Sequence, residues 1–284
     1  MNITANTSCA AVIGHPIGHS LSPGLHNKIY QTLGLDIAYM AFDITGDNFA
    51  KAVEGLGALG FIGFNVTIPY KEKIIDYLDL VDPTAAAIGA VNTVKVDKGR
   101  LIGYNTDGLG FLHSLNVDGV HTSQKRILII GAGGSARAIG ITLAQTKPNK
   151  IFILNRSKDR AKQLALDINE LAGYSLSSAT ETVPVDIDII INTTPIGMWP
   201  KVNETPLKGY SFNPKTVVCD IVYNPNITHL LKQASENGCS TVKGIGMLIG
   251  QGVRAIEIWT GAAVDDSVIK SVSDDLYKIL KQDI

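Results

Sequence analysis

The fold is decided by the stretch RILIIGAGGSARA at residues 126–138. Its apolar run, Ile127 to Ile130, is short and uninterrupted, which is typical of a strand buried on both faces of a parallel sheet. Glycines follow directly and match the pattern GxGxxA. In that pattern Gly131 permits a tight turn, Gly133 lets backbone approach a pyrophosphate, and Ala136 leaves room for a helix to pack on the strand. The stretch therefore predicts a dinucleotide-binding turn.

The sequence after this turn supports the same interpretation. A helix-like stretch covers residues 136–145 and an apolar strand covers residues 150–154, which completes a βαβ unit of the usual length. The alternative is a glycine-rich turn that only packs a helix on a sheet. We predict an α/β fold with a Rossmann-type, doubly wound domain. We assign the pyrophosphate to consecutive small residues of the turn: Gly131, Ala132, Gly133, Gly134, Ser135 and Ala136.

Length and charge narrow the class of protein. A chain of 284 residues with 45% hydrophobic content is long enough for two domains with ordinary cores. The formal net charge is -1 and no dense cluster of lysine and arginine is present, which argues against a nucleic-acid partner. We expect a small-molecule partner. The sequence does not fix the oligomeric state, and a homodimer is kept as a candidate.

Cysteine usage and hydropathy indicate the compartment. The cysteines are odd in number and widely spaced, which suits a reducing compartment: Cys9, Cys219 and Cys239. The N-terminus has no secretory leader pattern, and no run approaches the roughly 18 apolar residues of a membrane span. His15 and His19 do not form a metal pair, because Pro16 and Gly18 break the helix that their spacing requires. We expect a cytoplasmic protein without a membrane partner or a metal.

Two serines mark the start of the first predicted helix. A strand at residues 9–13 leads into a glycine- and proline-rich loop, and an amphipathic helix covers residues 25–33. Ser22 before Pro23 predicts a helix N-cap. If the loop is extended, Ser20 and Ser22 also project to one side, beside a helix N-terminus that favours an anion. Both interpretations can hold together.

A second polar group lies in the stretch FIGFNVTIPYK at residues 61–71. In a strand, Asn65 and Thr67 share one face, and the apolar side chains that alternate with them face a core: Phe64, Val66 and Ile68. Pro69 ends the strand and can open a helix over residues 70–80, which leaves Lys71 in the first turn. Lysine is unusual there, because the helix dipole favours acids. Beside Asn65 and Thr67 a functional role is favoured over a solvated surface lysine.

Two further strands end in polar residues. One covers residues 91–96 and contains Asn92, and the other covers residues 101–106 and is followed by Asp107. Asp107 alone is typical of a helix N-cap. Burying three polar strand ends unpaired would be costly, so we predict that they converge on one cleft.

The nucleotide half carries its own polar residues. After the second strand, at residues 155–157, the acid that would hold the ribose of NAD is missing. The guanidinium of Arg156, with Arg160 one helical turn on, suits a 2'-phosphate, although Arg160 also fits a solvated helix face. We therefore predict NADP, held at this strand end by Asn155, Arg156, Ser157 and Arg160. Further sheet strands at residues 186–192 and 217–222 place later loops at the ligand edge, the first containing Thr193, Thr194 and Pro195.

The last part of the chain is predicted to be helical. Gly244 predicts a turn, and residues 247–259 form a helix that carries Gln251 on a small, apolar face. Gly250 and Gly252 beside it indicate close approach of another element, although simple exposure of Gln251 is the alternative. Residues 267–280 are amphipathic and predict a packing helix without chemistry.

Taken in order, the motifs identify the chain as similar to the shikimate dehydrogenase family. They are GHPIGHSLSPGLHN, NVTIPYK, GAVNT, YNTDGLGF, GAGGSARA, NRS, NTTPIGM, DIVYNP, GIGMLIGQG and IWTG. The resemblance covers about residues 12–261, and the combination is highly specific. It implies an N-terminal α/β substrate domain at residues 1–107, an inserted dinucleotide domain at 108–245, and C-terminal helices at 246–284 that complete the substrate domain.

The resemblance also implies site residues. Lys71 would be the catalytic acid and base, and Asp107 would orient the reacting hydroxyl and the ammonium. Ser20 and Ser22 would hold the substrate carboxylate, and Tyr223 would lie near the substrate. The ring hydroxyls would be held by Asn65, Thr67, Asn92 and Gln251. The alternative for Tyr223 is a buried tyrosine whose hydroxyl is hydrogen-bonded within the protein and has no role in binding. Further contacts to NADP are assigned to Met198, Val222, Gly244 and Met247.

The expected activity is reversible, NADPH-dependent reduction of 3-dehydroshikimate to shikimate, a step toward chorismate and the aromatic amino acids. Two enzymes and one binding protein remain as alternatives. A quinate/shikimate dehydrogenase using NAD is the nearest rival, whereas a methylenetetrahydrofolate dehydrogenase would lack the Ser-Leu-Ser and Asn-Thr-Asp motifs. A ligand-sensing regulator would bind without turnover, and loss of Lys71 or Asp107 would be its mark.

Overall fold

A computed structural model describes residues 3–18 and 20–282. The strands in chain order are β1 (Ser8–Gly14), β2 (Ile37–Asp43), β3 (Gly63–Val66), β4 (Leu80–Val81), β5 (Thr93–Asp97), β6 (Arg100–Tyr104), β7 (Arg126–Ile130), β8 (Lys150–Leu154), β9 (Ser177–Thr180), β10 (Ile189–Asn192), β11 (Val217–Asp220) and β12 (Ser240–Val242). The helices are α1 (Ser22–Leu33), α2 (Phe49–Ala58), α3 (Pro83–Ile88), α4 (Asp107–Val117), α5 (Gly134–Ala144), α6 (Lys158–Ala172), α7 (His229–Glu236), α8 (Gly244–Thr260) and α9 (Asp266–Gln282).

The chain divides into two compact units. The first joins the chain up to Thr106 with Gln251–Ile279, and the second is built on Asp107–Gly250. Helix α8 begins in the second unit and its residues from Gln251 belong to the first. No helix in the described part of the chain is both long and apolar enough to cross a membrane.

The first unit contains a six-stranded mixed sheet in the order β2-β1-β3-β5-β6-β4. Strand β1 pairs in parallel with β2 and β3, whereas β5 runs antiparallel to β3 and β6. Its central residues Ala10 to Ile13 are almost wholly buried, as expected for an uninterrupted apolar strand. The C-terminal helices return to this unit, because Trp259 Nε1 in α8 donates to the Val94 carbonyl in β5 at 2.9 Å.

The segment around Lys71 differs from the sequence prediction. No α-helix covers residues 70–80; a short 3-10 helix spans Lys73–Tyr77, and Lys71 lies in the turn before it. The reason is tertiary. The Tyr70 hydroxyl donates to the Ile44 carbonyl at 2.6 Å. The Lys71 carbonyl accepts from the Val91 amide at 2.8 Å, so this carbonyl is bound to the segment before β5 instead of to a helical amide.

Strand β3 is also shorter than predicted. It ends at Val66, and Ile68 is 61% exposed rather than facing the core. The alternation of apolar side chains therefore holds only for Phe64 and Val66, which are buried. The prediction for Ile68 was wrong because strand pairing stops before it.

The second unit contains a six-stranded parallel sheet in the order β12-β11-β10-β7-β8-β9. The first strand of the unit, β7, has β8 on one side and β10 on the other, so the winding reverses between β7 and β10. This is the doubly wound arrangement, and ligands bind outside the carboxyl ends of such strands at the reversal. The predicted α/β fold with a Rossmann-type domain is confirmed.

Three strands lay outside the sequence prediction: β2, β4 and β9. The polar sequence SSAT of β9 has no hydrophobic run to detect, and it lies at the sheet edge beside β8. Strands β2 and β4 are the two edges of the first sheet. Edge strands are half solvated, which weakens their sequence signal.

Candidate active site

The first two predicted anion ligands lie at the start of α1. The helix begins at Ser22 itself, and Leu21 occupies the N-cap position without a side-chain hydrogen bond. The predicted N-cap role of Ser22 is therefore wrong, because its backbone is already helical and a capping residue must precede the helix. Instead, the Ser20 hydroxyl accepts from the Ser22 amide at 3.3 Å. His19 of the excluded metal pair lies outside the described residues, and His15 Nδ1 contacts Asp43 Oδ1 at 2.6 Å.

The polar strand ends of the first unit meet in one hydrogen-bonded cluster. Asn65 Nδ2 donates to the Asn92 carbonyl at 3.1 Å and to Thr93 Oγ1 at 3.0 Å. Asn92 Oδ1 accepts from the Thr106 amide at 2.8 Å, and Asn92 Nδ2 donates to Thr106 Oγ1 at 3.0 Å. All four side chains are buried. The strand ends that were predicted to converge do meet here, while their role in binding a ligand stays a prediction.

Thr67 and Lys71 follow this cluster along the chain. The Thr67 amide donates to the Ile13 carbonyl at 3.0 Å, which holds the half-buried Thr67 next to the end of β1. The Lys71 carbonyl accepts from Val91, directly before Asn92. The backbone of Lys71 is thereby fixed beside the buried cluster by a contact that the sequence did not predict.

Asp107 and Gln251 are held by helices. Asp107 is the first residue of α4 and is buried. Gln251 lies half-buried in α8 between two glycines that touch other backbone or side chains. A Cβ at Gly250 would be 2.8 Å from the Gly110 carbonyl oxygen, and a Cβ at Gly252 would be 2.6 Å from Leu25 Cδ2. The predicted close approach around Gln251 is confirmed.

The dinucleotide turn has the geometry that its sequence predicts. Gly131 has φ of 118°, and a Cβ there would collide with Thr193 Oγ1, so only glycine fits. Gly133 is the N-cap of α5 and has no side chain that could cap the helix. The space that a Cβ on Gly133 would occupy is open. Ala136, in the first turn of α5, is fully buried. The free amides of the first turn of α5 therefore fit an anionic group such as a pyrophosphate.

The end of β8 presents two uncommitted guanidinium groups. Arg156 and Arg160 are exposed, and neither forms a side-chain hydrogen bond or ion pair with any described residue. Between them Lys158 pairs with Glu181 at 2.7 Å, while Asn155 Nδ2 donates to the Ser157 carbonyl at 3.0 Å. The arginines therefore fit a phosphate monoester, with Lys158 already engaged.

A buried cluster that the sequence did not predict joins β10 to β11. Asn192 Nδ2 donates to Asp220 Oδ1 at 3.0 Å, and Asn192 Oδ1 accepts from Thr194 Oγ1 at 2.7 Å. Asp220 also accepts from the Val222 amide at 3.0 Å and from Thr228 Oγ1 at 2.7 Å. Of two residues assigned to the cofactor, Val222 is thus fixed by the Asp220 carboxyl group and Thr194 by the Asn192 amide that contacts it. The available signal was an Asn and an Asp at the ends of neighbouring buried strands.

Asp220→Asn should change how stability depends on pH. Burial raises the pKa of Asp220 to about 7 from an ordinary 3.8, and hydrogen bonds from Thr228, Val222 and Asn192 only partly oppose this. Between those values the folded protein keeps a proton that the unfolded chain has released. The contribution of Asp220 to the free energy of unfolding therefore falls as the pH rises from about 4 to about 7, by about 4 kcal/mol, and is constant above.

Urea titrations of wild type and variant at several pH values measure this difference. The control is Asp265→Asn, because Asp265 is exposed and a hydrogen bond from Ser267 holds its pKa below the ordinary value. The contribution of the Asp265 carboxylate to stability is lost only at lower pH. The difference in unfolding free energy between Asp265→Asn and wild type should therefore be constant from about pH 4 to about pH 7. A flat difference for Asp220→Asn as well would show that this carboxyl does not titrate there.

The remaining assigned residues lie after β10 and β11. The Trp199 amide donates to the Asn224 carbonyl at 3.0 Å, which joins the loop containing Met198 to the one containing Tyr223. Pro195 is exposed and Tyr223 is half-buried. Gly244 was predicted to form a turn but is the first residue of α8, and a Cβ on it would be 2.5 Å from the Ile221 carbonyl oxygen. Met247 is buried one turn further along.

Comparisons with known protein families cover nearly the whole chain. The sequence model of the shikimate dehydrogenase substrate binding domain matches residues 12–94. That of shikimate / quinate 5-dehydrogenase matches residues 114–245, and that of the shikimate 5'-dehydrogenase C-terminal domain matches residues 244–272. The matches follow each other in the order that the motifs predicted.

Individual relatives agree with the family matches. The shikimate dehydrogenase (NADP(+)) of Moorella thermoacetica is 44% identical over 283 residues, which cover 95% of this chain and 95% of the relative. A crystal structure of shikimate dehydrogenase in complex with NADP+ is 42% identical with a TM-score of 0.90, covering 96% of this chain and 97% of that chain. The ligand-free 5-ketofructose reductase of a Gluconobacter species is 35% identical with a TM-score of 0.85, covering 96% and 100%. With its two sheets, its dinucleotide turn and relatives of this kind along its full length, the chain belongs to the shikimate dehydrogenase family.

Proposed function

We propose that the chain is an NADP-dependent shikimate dehydrogenase that reduces 3-dehydroshikimate to shikimate reversibly. One observation carries the proposal: the open dinucleotide turn leads to a strand end with two uncommitted arginines, in a chain whose relatives are named shikimate dehydrogenase (NADP(+)). An NAD enzyme would need an acid at that strand end. Quinate with NAD remains the alternative pair of reactants.

The chain's own groups fit the cofactor in three places. The amides at the start of α5 would hold the pyrophosphate, Arg156 and Arg160 the 2'-phosphate, and the loops after β10 and β11 the nicotinamide. When bound, the nicotinamide supplies or accepts hydride. The hydrogen bonds around Asn192 and Asp220 keep Thr194 and Val222 in place at that end.

We assign the substrate contacts to the polar residues that the sequence predicted for them. Ser20 and Ser22 would hold the carboxylate, and the polar groups assigned to the ring are Asn65, Thr67, Asn92, Tyr223 and Gln251. Lys71 would give a proton to the carbonyl oxygen during reduction and take it back during oxidation, with Asp107 orienting the reacting hydroxyl. A site that holds its substrate mostly by hydrogen bonds is strongly selective, because a compound that lacks one of the substrate's hydroxyls leaves a buried polar group of the protein unpaired.

Steady-state kinetics tests the function directly. With shikimate and NADP the absorbance of reduced nicotinamide should appear, and kcat/KM should exceed that for quinate with NAD by at least about tenfold. The assay includes 5-ketofructose with NADPH, because a relative of that activity shares the fold. A protein that binds shikimate without turnover would support the ligand-sensing regulator instead. Faster turnover of quinate with NAD would reverse the substrate and cofactor assignment.

We further propose the domain division 1–107, 108–245 and 246–284, a cytoplasmic location and a homodimer. The location is supported by the cysteines, which are all free: Cys9, Cys219 and Cys239. Sedimentation analysis of the purified chain would decide the oligomeric state.

A further inference from the structure

We propose that Tyr39 is a positioning residue for the substrate site, acting through Asn65; this rests on the proposed function of Asn65. The Tyr39 hydroxyl donates to Asn65 Oδ1 at 2.7 Å. Tyr39 lies in β2, the edge strand that the sequence did not predict, and is only 2% exposed. Its hydroxyl proton is given to Asn65, so the phenol acts on the site through the amide that it contacts.

The orientation of the Asn65 amide follows from its partners. The Asn92 carbonyl can only accept, so Asn65 Nδ2 must face it, and the second amide hydrogen is used by Thr93 Oγ1. Oδ1 consequently faces Tyr39 and takes its hydroxyl proton. One lone pair of Oδ1 is left, because an amide oxygen accepts two hydrogen bonds. Asn65 can therefore offer a ligand only an acceptor, which selects for a hydroxyl that donates.

Tyr39 itself is held through its backbone and through its ring. Its backbone exchanges two hydrogen bonds with the Asn27 side chain, at 2.9 and 2.8 Å, which ties β2 to α1. Its ring stacks on His26 with a centroid distance of 4.0 Å and an interplanar angle of 16°. Burial lowers the pKa of His26 to about 3, so this ring stays neutral and the stack does not change with pH. The phenol oxygen is thus fixed before any ligand arrives, as a preorganised site requires.

The phenol remains a donor at any working pH. Burial raises the pKa of Tyr39 well above its ordinary value, the neighbouring Tyr30 adds to this, and the Ser22 hydroxyl acts in the opposite direction. The phenol is bound to Asn65, a residue assigned to the ring, which explains why a buried edge-strand tyrosine bears on substrate affinity.

The test compares Tyr39→Phe with Tyr30→Phe. Tyr30 is buried beside the same His26 ring. Among the described residues its hydroxyl contacts His26 Nδ1, at 3.5 Å, and not a residue assigned to the substrate. We expect Tyr39→Phe to raise the shikimate KM about tenfold and leave the NADP KM within about twofold. Tyr30→Phe should leave both KM values within about twofold, even if it lowers the melting temperature as much as Tyr39→Phe does.

A double-mutant cycle shows whether Tyr39 acts through Asn65. In an Asn65→Ala background, Tyr39→Phe should change the shikimate KM by less than about twofold, because the amide that it orients is gone. Additive effects in the cycle, an unchanged KM for Tyr39→Phe alone, or a parallel rise in the NADP KM would each overturn the inference. Calorimetric binding of shikimate to the folded variants gives the same comparison without turnover. A wild type that neither binds nor oxidises shikimate would overturn the proposed function and this inference together.

Discussion

Lys71→Ala should lower kcat for shikimate oxidation by about 10²–10⁴, the usual effect of removing a general acid or base. The shikimate KM should change by less than about tenfold, because other side chains are assigned to the ring and the carboxylate. The structure supports this assignment through the backbone. The Lys71 carbonyl is bound to the Val91 amide, so the residue stays beside the buried cluster of Asn65 and Asn92.

Lys73→Ala is the matched control for Lys71→Ala. Lys73 lies two residues further on and is exposed, with its ammonium 5.5 Å from the centroid of the Phe49 ring. Its loss removes the same charge two residues away, at a side chain with no assigned role in the site, so kcat should stay within about threefold of wild type. Circular dichroism confirms that both variants fold. A kcat for Lys71→Ala that is also within about threefold would show a structural lysine and exclude the acid and base role.

Arg156→Ala should reduce the preference for NADP over NAD by about tenfold or more. A charge-assisted contact to a phosphate contributes about 1.5–3 kcal/mol, and each 1.4 kcal/mol is about tenfold. Arg156 has no side-chain partner among the described residues, so its whole hydrogen-bonding capacity is available to the 2'-phosphate. The loss should appear in kcat/KM for NADP, while the constants for NAD change by less than about twofold.

Lys158→Ala controls for the loss of a nearby positive charge. Lys158 already pairs with Glu181 at 2.7 Å, so its removal should leave the cofactor preference within about threefold. Arg160→Ala measures the second guanidinium separately and distinguishes a ligand from a solvated helix face. A wild type that uses NAD and NADP equally well would contradict the interpretation of residues 155–157, whatever the variants show.

Local sequence patterns predicted the dinucleotide unit well. The apolar run of β7 and the glycines after it specify a buried strand and a turn within a dozen residues, and the structure has both. Local signals were weaker at the start of helices. Ser22 and the stretch after Pro69 both match N-terminal helix patterns, yet Ser22 is inside α1 and Lys71 is in a turn. In the second case the distant Val91 amide binds the Lys71 carbonyl, which a helix would use for its own hydrogen bond.

By itself the sequence determined the family, the α/β class and the residue types at each strand end, because these depend on short-range periodicity and on motifs. Only the tertiary structure decided which of those residues touch. Asn192 meets Asp220 across 28 residues of chain, and Tyr39 meets Asn65 across 26. Such pairs follow from the order of strands in each sheet, since strand order brings together side chains that no local pattern relates. Burial in the folded sheet then sets the protonation of Asp220, which its sequence neighbours do not determine.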